Sequence, residues 1–466
     1  MMRDMLEALR DKAQQIGVDF MDVRAVEDEG TSVQLQDGKA DKVSQYRQRG
    51  LGVRVLLNRA WGFASTDGYD RERAFDCLET AVAMAKASQE RIGDQGVVAE
   101  AAPVEDTVLA VFEKDPRSIS LDEKMKLLTQ YEQAAVAAGQ GKLVNTRIYY
   151  GDSVERVALC NTRGTFLDME SVRTNLGAYM AARDGEVRQK GGEHRAEQCG
   201  YELIDRLTPD DVSVKAAKRA VSLLDARRAP AGKFTVVFHP SITGLLTHEA
   251  LGHNAEADLV LTGQSILDGK LGTRIAADCI TIIDDGTIPG SWGSFPYDSE
   301  GTPSQRHVLI ENGVLKGLMH SLETAAQMDV APNGSARAQG YANRPIVRMS
   351  NTFIEAGAMG FEELIKDVDQ GVYLTAGQWG YVFCERGQYT CSAGEGYMIR
   401  NGQLEEHLRD VCISGMTLET LMNADAVSNA FEMKMAGMCG KFGQGMHVSG
   451  GGPHVRVRDV VVGGQE

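Results

Sequence analysis

No apolar run in this 466-residue sequence approaches the roughly 18 residues of a bilayer-spanning helix, so no such helix is expected. Positive charge is also scarce: 49 Lys and Arg face 65 Asp and Glu, giving a formal net charge of -16. Duplex nucleic acid is held through basic patches that neutralise phosphates, and this balance argues against one. Residues Met1 to Glu7 alternate charged with apolar side chains and lack the h-region of a signal peptide. The eight cysteines (Cys77, Cys160, Cys199, Cys279, Cys384, Cys391, Cys412 and Cys439) lack the rhythm of a disulfide scaffold. These absences favour a reduced, cytoplasmic chain with no nucleic-acid and no membrane partner.

What is present is an ordinary globular composition, 43% hydrophobic and 24% charged, on a chain long enough for two or three cores. Met5, Leu9, Ala13 and Ile16 mark one stripe of a first helix that Gly17 ends. Strands are expected over 18–26, 31–36, 42–47 and 51–57, with Asp37-Gly38 as a hairpin turn and Trp61 to Ala64 continuing the sheet. Ala74, Cys77, Leu78, Ala81 and Ala85 form the apolar face of a second helix. A connection over 94–118 leads to a capping box, Ser120 with Glu123. Further strands fit 146–150, 154–160 and 165–180, and a long helix starts at Thr208-Pro209.

Arg227 to Gly232 is the clearest boundary. It divides the chain into 1–228, an N-terminal mixed α/β half with a possible subdivision near 94–118, and 229–466. The second part reads as mainly antiparallel β and barrel-like, with strands near 279–283, 307–310, 313–316, 346–351, 371–375, 380–384 and 397–400. Its helices are short, near 362–367 and 418–424. The class is α+β. The first half holds one histidine, His194, and reads as a scaffold or substrate-shaping part.

The chemistry concentrates in Thr247 to His253, where His248 and His253 flank Glu249 in the order His, Glu, three residues, His. Neutral imidazoles bind zinc, and a carboxylate beside them takes a proton from the water it activates. Histidines four apart on an α-helix sit about 40° apart around its axis, whereas five apart they splay by about 140°. One metal requires an extra residue bulged out of the helix, as in a π-turn, and the spacing predicts such a bulge over 250–253. Gly252 tolerates the distortion. The run Lys233 to His239 reads as a buried strand; Pro240 ends it and Ser241 is placed to cap the ligand helix.

A catalytic zinc usually keeps three protein ligands. Glu256 and Asp258 are candidates for the third, as is Cys439, a strong zinc donor among glycines. Lys441, His447 and the backbone N–H groups of 439–452 are candidate oxyanion donors. Gly440-Lys441-Phe442 is no phosphate loop, since a Walker loop needs Ser or Thr after its lysine. Asp298 and Glu300 are candidates to bind metal or substrate, with a solvated turn before Pro303 as the more ordinary reading.

His248 to Asn254, Asp298 to Pro303 and Cys439 to Gly445 together carry a family likeness. The chain resembles the TldD metalloproteases of the TldD/PmbA family over nearly its whole length, most strongly from Phe234 to the end. The resemblance implies one zinc ion held by His248, His253 and Cys439, with Glu249 as the base. It implies short or unfolded peptides as substrates, hydrolysed inside the chamber of a homodimer or of a heterodimer with a PmbA/TldE-like subunit. The other class of function left open is a non-catalytic binding or assembly subunit of a peptidase complex.

Overall fold

The N-terminal hairpin is longer than the polarity pattern suggests. In the computed structural model, which describes residues 2–89 and 96–464, Asp37 and Gly38 take φ of 49° and 76°. That tight turn joins single strands of 17 and 19 residues, Phe20–Gln36 and Lys39–Leu57, where four shorter strands were expected. The acidic stretch Glu27, Asp28, Glu29 does not break the ladder, because Arg49, Gln48 and Arg47 lie opposite on one side and Arg156 faces Glu27 on the other. Cross-strand charge pairing carries the strand through.

Among the described residues these strands belong to a seven-stranded sheet. Its order is Ala60–Asp67, Lys39–Leu57, Phe20–Gln36, Leu143–Asn161, Phe166–Asp184. Glu105–Val108 and Val187–Glu197 both pair with Phe166–Asp184. The sheet is therefore continuous across the expected connection over 94–118, of which residues 94 and 95 lie outside the described residues. Helices Met2–Ile16 and Arg71–Ser88 share a core with the sheet through Leu9, Val53 and Leu78, and Cys77 sits in it. Leu121–Ala138 opens with the Ser120–Glu123 capping box. It packs with Ser213–Ser222 against Ile148 and Leu176. The long helix anticipated from Thr208 is a 3-10 turn, Pro209–Asp211, followed by that ten-residue helix.

In the second half, Gly232–Phe238, Gln370–Phe383, Gln388–Arg400, Val411–Met416 and Val455–Gly464 pair in a closed ring. Only the pairing of Gly232–Phe238 with Gln370–Phe383 is parallel. A separate six-stranded sheet runs Val314–Leu315, Arg306–Glu311, Ile282–Asp285, Asn351–Ile354, Gln444–Gly452, Glu432–Lys441. The helix Pro240–Leu246 packs against both sheets. It approaches Gln444–Gly452 so closely that a Cβ on Gly244 would lie 2.5 Å from the Gly450 carbonyl carbon. The C-terminal glycine run is thus a packing device for the ligand helix.

Asp298 and Glu300 are not a solvated turn. Each is 2% exposed. Glu300 accepts from Arg54 Nη2 at 2.7 Å and from the Leu322 N–H at 2.6 Å, and Arg54 also pairs with buried Asp22. Asp298 accepts the N–H groups of Glu300, Thr302 and Ala336. The motif fastens the N-terminal sheet to the C-terminal half. All eight cysteines are free, and among the described residues no helix is long and apolar enough to cross a membrane.

Candidate metal centre

The strand Gly232–Phe238 is buried at its C-terminal end and delivers the chain to the ligand helix through His239. The cap is His239 rather than Ser241: its Nδ1 accepts the Ser241 N–H at 3.2 Å, with Pro240 in the first turn. An imidazole acceptor does the work of a hydroxyl, which residue preference alone does not reveal. The helix then widens into a π-helix over Thr247–Gly252, three residues earlier than the spacing suggested, and tightens to a 3-10 turn over His253–Ala255. That widening offsets the angular excess of a five-residue spacing. The His248 and His253 rings lie 5.1 Å apart at 79°. Gly252 has an ordinary helical φ of -52°; the physical reason for glycine is Met349, whose sulfur would lie 2.0 Å from a Cβ there.

Cys439 arrives on Glu432–Lys441, 186 residues beyond His253 in the chain, and its Sγ is 3.3 Å from His253 Nε2. Donor atoms of His248, His253 and Cys439 all lie within 4.8 Å of one another, and among the described residues no other group of histidine, cysteine and carboxylate side chains converges in this way. His248 Nδ1 is buried without a hydrogen-bond partner among the described residues. Burial would raise the Cys439 thiol, but the imidazoles of His248 and His253 bring it down to about 4. Burial would lower the His253 imidazole, but Glu256 and then Cys439 lift it to about 10. The pocket thus stabilises a thiolate. Two imidazoles and a thiolate at this separation, one nitrogen unsatisfied, are a donor set that would suit a zinc ion.

Glu256 and Asp258 are outside that cluster. Glu256 accepts from His253 Nδ1 at 3.1 Å, and Asp258 pairs with Lys441 Nζ at 2.7 Å. Lys441 is therefore committed to carboxylates. His447 packs edge-on against Trp292 with ring centres 4.8 Å apart.

Glu249 lies with the three residues on the wall of a cavity of about 1250 Å³. It has no hydrogen-bond partner among the described residues. The Gln370–Phe383 strand crosses directly over its stem, where a Cβ on Gly380 would lie 2.7 Å from Glu249 Cγ. The opposite wall comes from the N-terminal half and includes Tyr179, His194 and Arg219. Arg219 joins Glu193 and Glu395 across the two halves at 3.3 and 3.2 Å. The sequence pointed to Glu256 as a candidate ligand, and its place is instead against His253 Nδ1; Gly380, Tyr179 and Arg219 left no signal in the sequence.

A strand-fed, π-widened helix end carrying two histidines, a thiol supplied by a glycine-rich edge strand and a neighbouring carboxylate make up a candidate metal centre. Three family profiles match the chain: PmbA/TldA metallopeptidase domain 1 over 21–85, the central domain over 114–224 and the C-terminal domain over 231–464. A metalloprotease of Methanothermobacter thermautotrophicus is 39% identical over 96% of both chains. A zinc metalloprotease TldD homolog of Saccharolobus solfataricus is 29% identical over 97% of this chain and 98% of its own. The crystal structure of TldE from Thermococcus kodakarensis superposes with a TM-score of 0.79 at 19% identity, covering 99% of this chain and all of that one, and shows the shared fold. The chain belongs to the TldD/PmbA metallopeptidase family.

Proposed function

We propose that this protein is a zinc-dependent metallopeptidase that hydrolyses short or unfolded peptides, with His248, His253 and Cys439 holding one zinc ion and Glu249 as the base. The supporting observation is convergence: ligand atoms from a π-turn and from a strand 186 residues away meet within 4.8 Å at the wall that also carries Glu249. Bound zinc supplies a Lewis acid that polarises a peptide carbonyl and makes water easier to deprotonate. Glu249, unpaired and facing the cavity, holds that proton on its carboxylate and returns it to the leaving amine.

Substrate binding rests on the edge of Glu432–Lys441, which among the described residues pairs in its sheet only with Gln444–Gly452. The Phe442-Gly443 turn closes at Lys441 and Gln444, so alternation turns the peptide groups of Met438 and Gly440 to the open side. An extended peptide adding there gains main-chain hydrogen bonds without demanding particular side chains. A second subunit, another copy or a TldE-like chain, encloses the site; the fold shared with TldE supports this. The test is a peptide-digestion assay of wild type against Glu249→Ala, with and without a TldE-like subunit, and zinc quantified in both. Glu249→Ala retains zinc and loses cleavage; cleavage that survives refutes the role of Glu249.

A further inference from the structure

We infer that Glu256 is a positioning residue: it orients His253 and, through Lys441 and Arg348, ties the Cys439 strand to the same carboxylate. This rests on the zinc reading above and adds the groups that hold the ligands in place. Glu256 Oε2 receives His253 Nδ1 at 3.1 Å, while His253 Nε2 faces Cys439 Sγ. A carboxylate acceptor at Nδ1 places the proton there and leaves the Nε2 lone pair toward the cluster. The 3-10 turn His253–Ala255 makes this pairing possible, because positions three apart eclipse in that helix. The Glu256 backbone is anchored in turn by a bridge to Met319.

The same Oε2 lies 3.1 Å from Lys441 Nζ, two residues past Cys439 on its strand. Lys441 is further fixed by Asp258 and by the Val347 carbonyl at 3.0 Å. Arg348 Nη2 donates to the Cys439 carbonyl at 2.5 Å, and its Nε lies 4.0 Å from Glu256 Oε1. Two carboxylates and two cations balance, so the cluster orients both ligand segments without adding net charge. Packing stability does not account for it. Glu256 and Arg348 side chains are fully buried, yet among the described residues Glu256 Oε1 and Arg348 Nε have no hydrogen-bond partner. An apolar cluster of equal volume avoids that penalty.

The test uses the full-length chain as wild type, Glu256→Gln, Lys441→Met and the double variant. Zinc affinity is measured by competition with a chromophoric chelator, the visible absorption of the cobalt(II) form is recorded, and circular dichroism reports folding. Glu256→Gln weakens zinc binding by about 10- to 100-fold and alters the cobalt–thiolate absorption. Lys441→Met weakens binding less, and the double variant binds no more tightly than Glu256→Gln. Should Glu256→Gln fail to fold, Lys441→Met carries the test through the same two readouts. A folded Glu256→Gln protein, or in its absence a folded Lys441→Met protein, with wild-type zinc affinity and cobalt spectrum overturns the inference while leaving the zinc centre standing. A wild-type chain that binds neither metal overturns the zinc reading itself.

Discussion

Gly380→Ala is the most informative single change, because it tests Glu249 without replacing it. Gly380 lies outside the left-handed region, so alanine is allowed by the backbone. The added methyl would sit 2.7 Å from Glu249 Cγ and 3.1 Å from Cys391 Sγ. Carbon atoms pack at about 3.5–4.0 Å, so the Glu249 stem must move by about 1 Å. A displacement of about 1 Å in a catalytic group costs about 100-fold in rate, or about 2.7 kcal/mol in activation free energy. Overpacking costs about 1–3 kcal/mol of stability, small enough to leave the chain folded. The assay is kcat/KM on an unstructured peptide, with bound zinc and melting temperature measured on the same preparation. Activity falling by two orders of magnitude at unchanged zinc content is the expected result. Activity within threefold of wild type would refute the placement of Glu249 as the base.

Three further outcomes follow from the same structure. His248→Ala and Cys439→Ala each lose zinc, measured by chelator competition, and peptide cleavage with it. Arg54→Met leaves Asp22 and Glu300 buried without their shared cation and lowers stability by about 3–5 kcal/mol in denaturant titration. His320 is held down to about 4 by burial and by nearby His307. Its unfolded value is about 6.5, so the unfolded chain binds the extra proton between these limits. The neutral-histidine contribution is whole above about pH 6.5 and is lost as pH falls toward 4, up to about 3 kcal/mol. His320→Phe flattens this part of the pH profile of the urea midpoint.

Much of the local structure was legible because its causes are local. The Ser120–Glu123 capping box, the Asp37-Gly38 turn and the stripe Met5, Leu9, Ala13 are set by neighbours a few residues apart. The distorted ligand helix was legible for a different reason: one ion cannot be held by histidines five apart on a regular α-helix. The long strands were not legible, since Glu27 to Glu29 look like a break until the charges on adjacent strands are known. Burial of Glu300 was hidden for the same reason; its partner Arg54 is 246 residues away. No local pattern singles out Gly380, whose meaning is the side chain beneath it.

The three candidate ligands and Glu249 all come from residues after 229, while the facing wall of the cavity is built by strands and a helix from before 228. Under the proposed function, holding the ion and confining a guest fall to different parts of the one polypeptide. The C-terminal half contributes every candidate ligand, and the N-terminal half contributes cavity-lining side chains such as Tyr179, His194 and Arg219. On that reading, a change at Tyr179 alters which peptides are cleaved and leaves zinc content unchanged.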